Sequence, residues 1–270
     1  MHPIPVSDRL TVLYLDHAVI GADGHAVVMT TQDGVIPLPV AKTAVLMLGP
    51  GSSITHAAIK LCADEGSLLL WVGEHGVRVY SVGMPGGSNA NNLVRQCSSF
   101  SVNEKRIEIA RGLFREMFKE EPPPRCSLEA LRGIEGGKVK SIYADLAARY
   151  HVPWTGRRTT DFCNADPLNK AISTATAALY GLCEAVILAL GYSPAVGFVH
   201  SGDSRSFVFD LADTVKFRTV VPLTFSLVAE SVSDIEGRTR RACRDLFMEK
   251  KLADELIVIL ERVFDGSGRY

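Results

Sequence analysis

The stretch "SVGMPGGSNANN", residues 81–92, separates two parts of the sequence whose patterns differ. It is rich in Gly, Pro, Ser and Asn and almost free of apolar residues, which is typical of a linker. Before it, short β-branched and aromatic runs alternate with turn residues, whereas after it apolar residues recur at helical spacing. We therefore predict an α+β chain with a small β domain over residues 1–80, a linker over residues 81–92 and a larger all-α domain over residues 93–270.

The N-terminal part predicts strands with one helix among them. Asp23-Gly24 and Asp33-Gly34 supply the residues of hairpin turns. The helix is expected in "SSITHAAIKLCADEG", with a serine as N-cap and Gly66 at its end. Strands are predicted in six runs: "LTVLYLD", "HAVVMTT", "GVIPLPV", "AVLMLG", "SLLLWVG" and "VRVYSVG".

Caps and prolines delimit the helices of the C-terminal part. "NEKRIEIARGLFREMFKE" ends at the prolines that begin with Pro122, Ser127 caps the next helix, and Asp166-Pro167 opens a third. Three later segments also show helical spacing: "RSFVFDLADTVKF", "VVPLTFSLVAES" and "RTRRACRDLFMEKKLADELIVILERVF".

Composition indicates an ordinary globular protein, with 47% hydrophobic and 22% charged residues. The net charge of −1 argues against simple electrostatic adhesion to nucleic acid, so a polyanion would need a local basic patch. The six cysteines stand singly, which favours neither a zinc site nor a disulfide framework and fits a reducing cytoplasm.

No membrane or secretory segment is expected. "MHPIPVSDRL" lacks a basic start followed by an apolar run. The most apolar helical segment, "AISTATAALYGLCEAVILALGY", contains Glu184 and many small residues, so we predict a buried core helix rather than a membrane span.

The segment "VGFVHSGDSRSFVFDLADTVKF", residues 196–217, places His200, Asp210 and Asp213 in apolar surroundings. The two aspartates stand three apart, which puts both on one face of a helix. An imidazole with carboxylates suits Mg²⁺ or Mn²⁺. The alternative is structural: aspartates in the first turn of a helix and a hydrogen-bonded core histidine. On this segment alone the structural alternative is favoured.

"LRGIEGGKVKSIYADLA" supplies a third candidate carboxylate, Glu135. Glycines at positions 133, 136 and 137 each cost a helix about 1 kcal/mol relative to alanine, which is tolerated where a backbone or a ligand approaches closely. A carboxylate among glycines and cations suits a metal that meets a phosphate, and a close helix crossing with a solvated surface is the alternative. The flanking cations are Arg132, Lys138 and Lys140.

Together, several segments resemble the CRISPR-associated protein 1 family, the integrase of CRISPR adaptation, and its type I-E branch most closely. The resemblance extends over nearly the whole chain, including "PIPVSDRL" and "ITHAAIKLCADEGSLLLWVGEHGVRVY". The segments that carry it are "LRGIEGGKVKSIYADLA", "TGRR", "TATAALYGLCEAVILALGYSPAVGFVH", "SFVFDLADTVKF" and "RRACRDLF".

The resemblance implies a β-sandwich-like N-terminal domain for dimerisation and DNA end contact, and a helical catalytic domain. It also implies a homodimer, a larger complex with the small CRISPR-associated protein 2, and binding of double-stranded DNA. Matching motifs give Glu135, His200 and Asp213 as ligands of Mg²⁺ or Mn²⁺, with Asp210 beside them as a further catalytic residue. The residues expected to contact DNA are Arg78, Arg132, Lys140, Arg157, Tyr180 and His17.

The implied reaction joins the 3′-hydroxyl ends of captured DNA to the CRISPR repeat by phosphodiester transesterification. With water in place of the hydroxyl, the same chemistry gives endonuclease activity. Two alternatives remain open: a stand-alone metal-dependent nuclease on branched DNA, and a non-enzymatic scaffold that captures DNA.

Three positions depart from the family pattern. His17 stands where relatives carry a tyrosine that braces the duplex end, and an imidazole offers less area for stacking. Asp203 stands where relatives often carry a lysine, which weakens one phosphate contact. The sequence ends at Tyr270 without the proline-rich tail that relatives use to hold the partner, so docking is expected on other surfaces.

Overall fold

The computed structural model describes residues 10–76, 78–83, 90–158 and 164–265. The chain divides into two compact units, Met1–Arg95 with Gly181–Ser193, and Gln96–Tyr180 with Pro194–Tyr270. Residues 84–89 of the expected linker lie outside the described residues, and its two ends overlap a strand and a helix. The domain boundaries at residues 80 and 92 stay a prediction.

Two four-stranded sheets form the first unit, in the orders β1-β5-β7-β8 and β4-β3-β2-β6. Strands β1, β5 and β7 run parallel, and β2, β3 and β4 form an antiparallel meander. The elements are β1 Leu10–Leu15, β2 Val19–Asp23, β3 Ala26–Thr31, β4 Gly34–Leu38, β5 Thr43–Leu48, β6 Ser53–Ile54, α1 His56–Asp64, β7 Leu68–Val72 and β8 Val79–Gly83.

The six predicted strands are confirmed as β1, β3, β4, β5, β7 and β8. Sequence patterns missed β2, whose run "VIGAD" contains a glycine and ends in the residue assigned to the turn, and β6, which is only two residues long. The predicted serine cap of α1 is wrong. Thr55 is the N-cap, and its hydroxyl accepts a hydrogen bond from the amide of Ala58 at 3.3 Å.

Central strand β5 is buried along its whole length, and its side chains serve two cores. Leu46 and Leu48 pack with residues of the second sheet and of α1. Val45 and Met47 belong to a second cluster that includes Ala185. Successive side chains of β5 thus lie on opposite faces of its sheet, as the alternation of a strand predicts.

Helices build the second unit, as the spacing predicts. Ser127 Oγ accepts a hydrogen bond from the amide of Ala130 at 3.2 Å, and Asp166 Oδ1 accepts one from Asn169 at 2.9 Å, which confirms both predicted caps. The helices are α2 Asn91–Ser101, α3 Asn103–Phe118, α4 Leu128–Tyr150, α5 Pro167–Ala189, α6 Ser206–Lys216, α7 Val220–Glu230, α8 Ile235–Glu249 and α9 Leu252–Asp265.

The last predicted helical segment is two helices rather than one. The break falls at Lys251, whose φ of 46° is left-handed, so the chain turns between α8 and α9. Helical periodicity continues on both sides of such a break, and it therefore gave no signal.

Helix α5 is, in the part of the chain that the structure describes, the one helix long and apolar enough to cross a membrane by length and composition. Within its most apolar window, 72% is buried inside the protein. Burial of this extent is typical of a core helix.

Candidate active site

The carboxylate of Asp210 holds a short loop, residues 196–200, that carries His200. Asp210 lies on α6 with its side chain 0% exposed. Its Oδ2 accepts hydrogen bonds from the amides of Phe198 and Val199, the second at 3.1 Å, and its Oδ1 accepts one from the amide of His200 at 2.8 Å. A buried carboxylate needs such donors to replace its hydration, so Asp210 and the loop stabilise each other.

Side chains from α2, α3 and α4 hold the carbonyl groups of the same loop. Gln96 Nε2 donates to Val196 at 2.8 Å, Arg106 Nε donates to Phe198 at 3.1 Å, and the guanidinium of Arg132 donates to Val199. Sequence reasoning missed Gln96 and Arg106, which lie 100 and 92 positions before their partners. Only the folded chain brings them together.

Gly197 allows the loop to approach the start of α6. A Cβ atom at this position would lie 2.6 Å from the carbonyl oxygen of His200 and 2.7 Å from the carbonyl carbon of Ser206. Beside it, Phe198 is fully buried and makes edge-on ring contacts with Phe207 and Phe264. The loop is therefore fixed by hydrogen bonds and by packing.

Asp210 also orients the imidazole of His200. His200 Nδ1 lies 2.8 Å from Asp210 Oδ1. This hydrogen bond is the main cause that raises the pKa of His200. Because Nδ1 donates to the carboxylate, the neutral ring leaves Nε2 as a free lone-pair donor.

Asp213 and Glu135 contribute the other two carboxylates. Asp213 lies one turn after Asp210 on α6 and forms an ion pair with Lys216, the two side chains being 13% and 14% exposed. Burial, and next the charge of Asp213, raise the pKa of Glu135 on α4 to about 7. Burial therefore favours the neutral form of Glu135, and the neighbouring carboxylate of Asp213 adds to this effect.

All four predicted catalytic residues line one cavity between α3, α4, α6 and the loop. Glu135 and His200 also line an adjoining open depression together with polar residues of the loop. The apolar lining of the cavity comes from Ala110, Leu113, Phe114, Met117, Leu131 and Val199.

The donor set of Glu135, His200 and Asp213 fits a divalent cation that accepts oxygen and imidazole nitrogen. Burial and then the charge of Asp213 raise the pKa of Glu135, and a bound cation would relieve the second of these two effects. Within the described residues, however, no group of three or more His, Cys, Asp or Glu side chains is arranged to hold a metal. Asp213 is paired with Lys216, and the carboxylate oxygens of Asp210 accept hydrogen bonds from the amides of the loop.

The glycines of α4 face open space. A Cβ atom at Gly133, Gly136 or Gly137 would find nothing within 4 Å. The expected alternative of a close helix crossing at these positions is therefore wrong for the described part of the chain. The face beside Glu135 is open to an approaching ligand.

The predicted DNA-contacting residues of the second unit have different surroundings. Arg132 and Lys140 lie exposed on α4. Arg157 donates to Asn169 Oδ1 and to Ser173 Oγ, both at 3.0 Å, so the guanidinium is anchored on α5. The fourth residue is Tyr180, whose ring centre lies 5.0 Å from that of Phe209.

The other two predicted DNA-contacting residues belong to the first unit. Arg78 is exposed and lies over the ring of Tyr80 at 5.8 Å. His17 is exposed at the turn between β1 and β2, with a left-handed φ of 48° and its amide bonded to Pro50 at 2.9 Å. A Cβ atom at Gly51 would lie 2.4 Å from His17 Nδ1, so the imidazole packs against that glycine.

Comparison with known proteins identifies the family. The model of the family described as CRISPR associated protein Cas1 matches residues 12–122 and 116–261. This chain belongs to the Cas1 family. A CRISPR-associated endonuclease Cas1 of Geobacter sulfurreducens is 43% identical over 99% of this chain and 89% of its own length. That of Escherichia coli is also 43% identical, over 97% of this chain and 87% of its own length.

Solved Cas1 structures share the fold. In a crystal structure of a TtCas1–DNA complex, the Cas1 chain is 36% identical and superposes with a TM-score of 0.87, covering 98% of this chain and 100% of that one. A Cas1 protein from Thermotoga maritima is 16% identical with a TM-score of 0.67, covering 94% and 96%, and shows the fold alone. The predicted family and the predicted α+β class are thus confirmed.

Proposed function

We propose that this Cas1 protein is a metal-dependent DNA integrase of CRISPR adaptation with associated endonuclease activity. The observation that carries the proposal is the convergence of Glu135, His200 and Asp213 on one cavity beside an open, glycine-lined helix face. The names of relatives as endonucleases and the DNA complex of a Cas1 protein that superposes well support it.

Glu135, His200 and Asp213 would hold Mg²⁺ or Mn²⁺. When bound, the cation supplies a Lewis acid that polarises a backbone phosphate. Asp210 orients His200 by holding its Nδ1 hydrogen and the loop amides. Asp210 therefore acts through His200 rather than on the substrate.

The reaction proposed is an exchange of phosphodiester bonds. A DNA 3′-hydroxyl oxygen attacks a phosphorus atom of the repeat, a new P–O bond forms, and the bond to the old 3′ oxygen breaks, with the hydroxyl proton passing to the departing oxygen through solvent. Arg132, Lys140 and Arg157 would position backbone phosphates without reading sequence. Water in the place of the hydroxyl gives hydrolysis.

The assembly proposed is a homodimer that acts with the small CRISPR-associated protein 2 on double-stranded DNA in the cytoplasm, without a membrane. Arg78 and His17 would contact DNA from the first unit, and Tyr180 from the second. The exposed positions of Arg78 and His17 support these roles.

An integration assay tests the proposal. Labelled double-stranded DNA with free 3′-hydroxyl ends is incubated with a supercoiled repeat-bearing plasmid and Mn²⁺ or Mg²⁺, with and without the small partner protein. We expect strand joining by the wild type, and its loss in Asp213→Ala and His200→Ala while circular dichroism stays native. Asp64→Ala, which removes an exposed carboxylate of α1, is the control and should retain full activity.

The alternatives give different products in the same assay. Cleavage without joining would indicate a stand-alone nuclease. DNA binding with neither product would indicate a scaffold. Full joining by both site variants, or in excess EDTA, would contradict the metal site.

A further inference from the structure

Lys216 is a nearly buried cation that pairs with one residue of the candidate metal centre, and the functional roles above do not use it. Its Nζ pairs with Asp213 Oδ1 across one turn of α6, and the two side chains are only 14% and 13% exposed. The Lys216 ammonium also lies 4.8 Å from the ring centre of Phe217. A pair of the same i,i+3 spacing, Glu116 and Lys119, leaves its lysine 55% exposed.

Among the described residues, few charged or titratable groups interact with Lys216 besides Asp213. Tyr180 and Tyr143 interact with its charge, and the charge of Lys216 reaches Glu135. A buried ammonium is held only where carboxylates compensate its lost hydration. Lys216 thus neutralises part of the carboxylate charge of this site.

We propose that Lys216 is a positioning residue that acts through Asp213, as the built-in counter-ion that a divalent cation must displace. The inference rests on the metal centre proposed above. An ammonium and a divalent cation cannot both lie in contact with one carboxylate without strong repulsion, which falls only with distance. The pair with Lys216 therefore stabilises the centre without metal and weakens metal binding.

Two features of the site bear on this role. Glu135, His200 and Asp213 line one cavity, yet the described residues contain no three-donor group arranged for a metal. Asp213 is occupied by Lys216. Release of that contact would make the third donor available.

Manganese titration of the full chain without DNA, at pH 8, tests the proposal by isothermal calorimetry. Lys216→Met keeps the length of the side chain and removes its charge, and Lys216→Arg keeps the charge. We expect Lys216→Met to bind Mn²⁺ on the order of tenfold more tightly than the wild type, and Lys216→Arg to bind as the wild type does. Lys119→Met, which breaks the pair of Glu116 with the exposed Lys119 at the C-terminal end of α3, is the matched control and should not change the affinity.

The outcomes separate the two proposals. Equal or weaker binding by Lys216→Met, with clear binding by the wild type, overturns the role of Lys216 and leaves the metal centre standing. Absence of Mn²⁺ binding in both proteins overturns the metal centre itself.

A measurement on the wild type covers the case in which Lys216→Met does not fold. Lysines are acetylated with acetic anhydride, and mass spectrometry follows the rate at Lys216 with Lys119 as internal reference. Without metal, Lys216 should react more slowly than Lys119. Saturating Mn²⁺ should accelerate Lys216 severalfold and leave Lys119 unchanged, whereas an unchanged or slower rate at Lys216 would refute its displacement.

Discussion

Removal of the Asp210 side chain leaves the amides of Phe198, Val199 and His200 without their acceptor in a closed part of the protein. Each unsatisfied buried donor costs stability, and the partners here are charge-assisted. We therefore expect Asp210→Ala to lower the free energy of unfolding by about 3 kcal/mol, as measured by urea denaturation.

Asp203 provides the control for that experiment. It lies in the same stretch, its side chain is 52% exposed, and it accepts a hydrogen bond from the amide of Arg205 at 2.8 Å. Asp203→Ala should change the free energy of unfolding by less than about 1 kcal/mol. A small effect of Asp210→Ala, equal to that of Asp203→Ala, would show that the loop does not depend on the carboxylate.

Single residues also show where sequence reasoning reached its limit. His200, Asp210 and Asp213 were singled out as candidates because they lie within one short apolar segment, and the family resemblance then gave them their expected roles. Asp210 bonds to a loop only 10–12 positions away. Gln96 and Arg106 could not be found, since they contact that loop from 100 and 92 positions away. The ion pair of Lys216 could have been predicted from the sequence, because a lysine three positions after Asp213 on a helix favours such a pair.

At the scale of elements, two glycines have opposite surroundings. Gly197 lies where the loop meets α6 closely, and Gly133 faces open space on α4. Gly197→Ala places a Cβ atom 2.6 Å from the carbonyl oxygen of His200 and should destabilise the protein by about 1–3 kcal/mol, because the loop and α6 must move apart. Gly133→Ala meets nothing within 4 Å and should stabilise α4 by about 1 kcal/mol through helix propensity. Chemical denaturation of the two variants measures both changes.

The two substitutions are expected to change the free energy of unfolding in opposite directions, so their comparison tests the packing at Gly197. Equal changes in the two variants would mean that the packing at Gly197 does not restrict the loop. If Gly133→Ala is more stable and loses DNA binding, the open face of α4 is required for the approach of DNA.

Elements with strong local signals were predicted, and those fixed by their neighbours were not. Strand β5 has a continuous apolar run, and α4 begins at the Ser127 cap, so each was identified. Strand β6, of two residues, exists because it pairs with β2, and the break between α8 and α9 depends on the left-handed backbone at Lys251. Pairing and backbone turns of this kind depend on tertiary context rather than on local periodicity.

At the scale of the whole molecule, each unit contains a cysteine that reports on its own core. Cys62 lies in the first unit and Cys243 in the second, and both are 0% exposed. Burial raises the pKa of Cys62 to about 11 and that of Cys243 to about 12. Because the thiolate is the reactive form, both should resist alkylation at pH 8 in the native protein.

Exposed Cys97 supplies the internal reference for this measurement. Iodoacetamide labelling followed by mass spectrometry should modify Cys97 in the native protein, and Cys62 and Cys243 as well in concentrated urea. As urea rises, the labelling of Cys62 and of Cys243 each reports the opening of its own unit. Coincident curves would indicate that the two units unfold cooperatively, and separate curves would indicate independent unfolding. Native labelling of Cys62 or Cys243 at the rate of Cys97 would contradict the burial of the corresponding core.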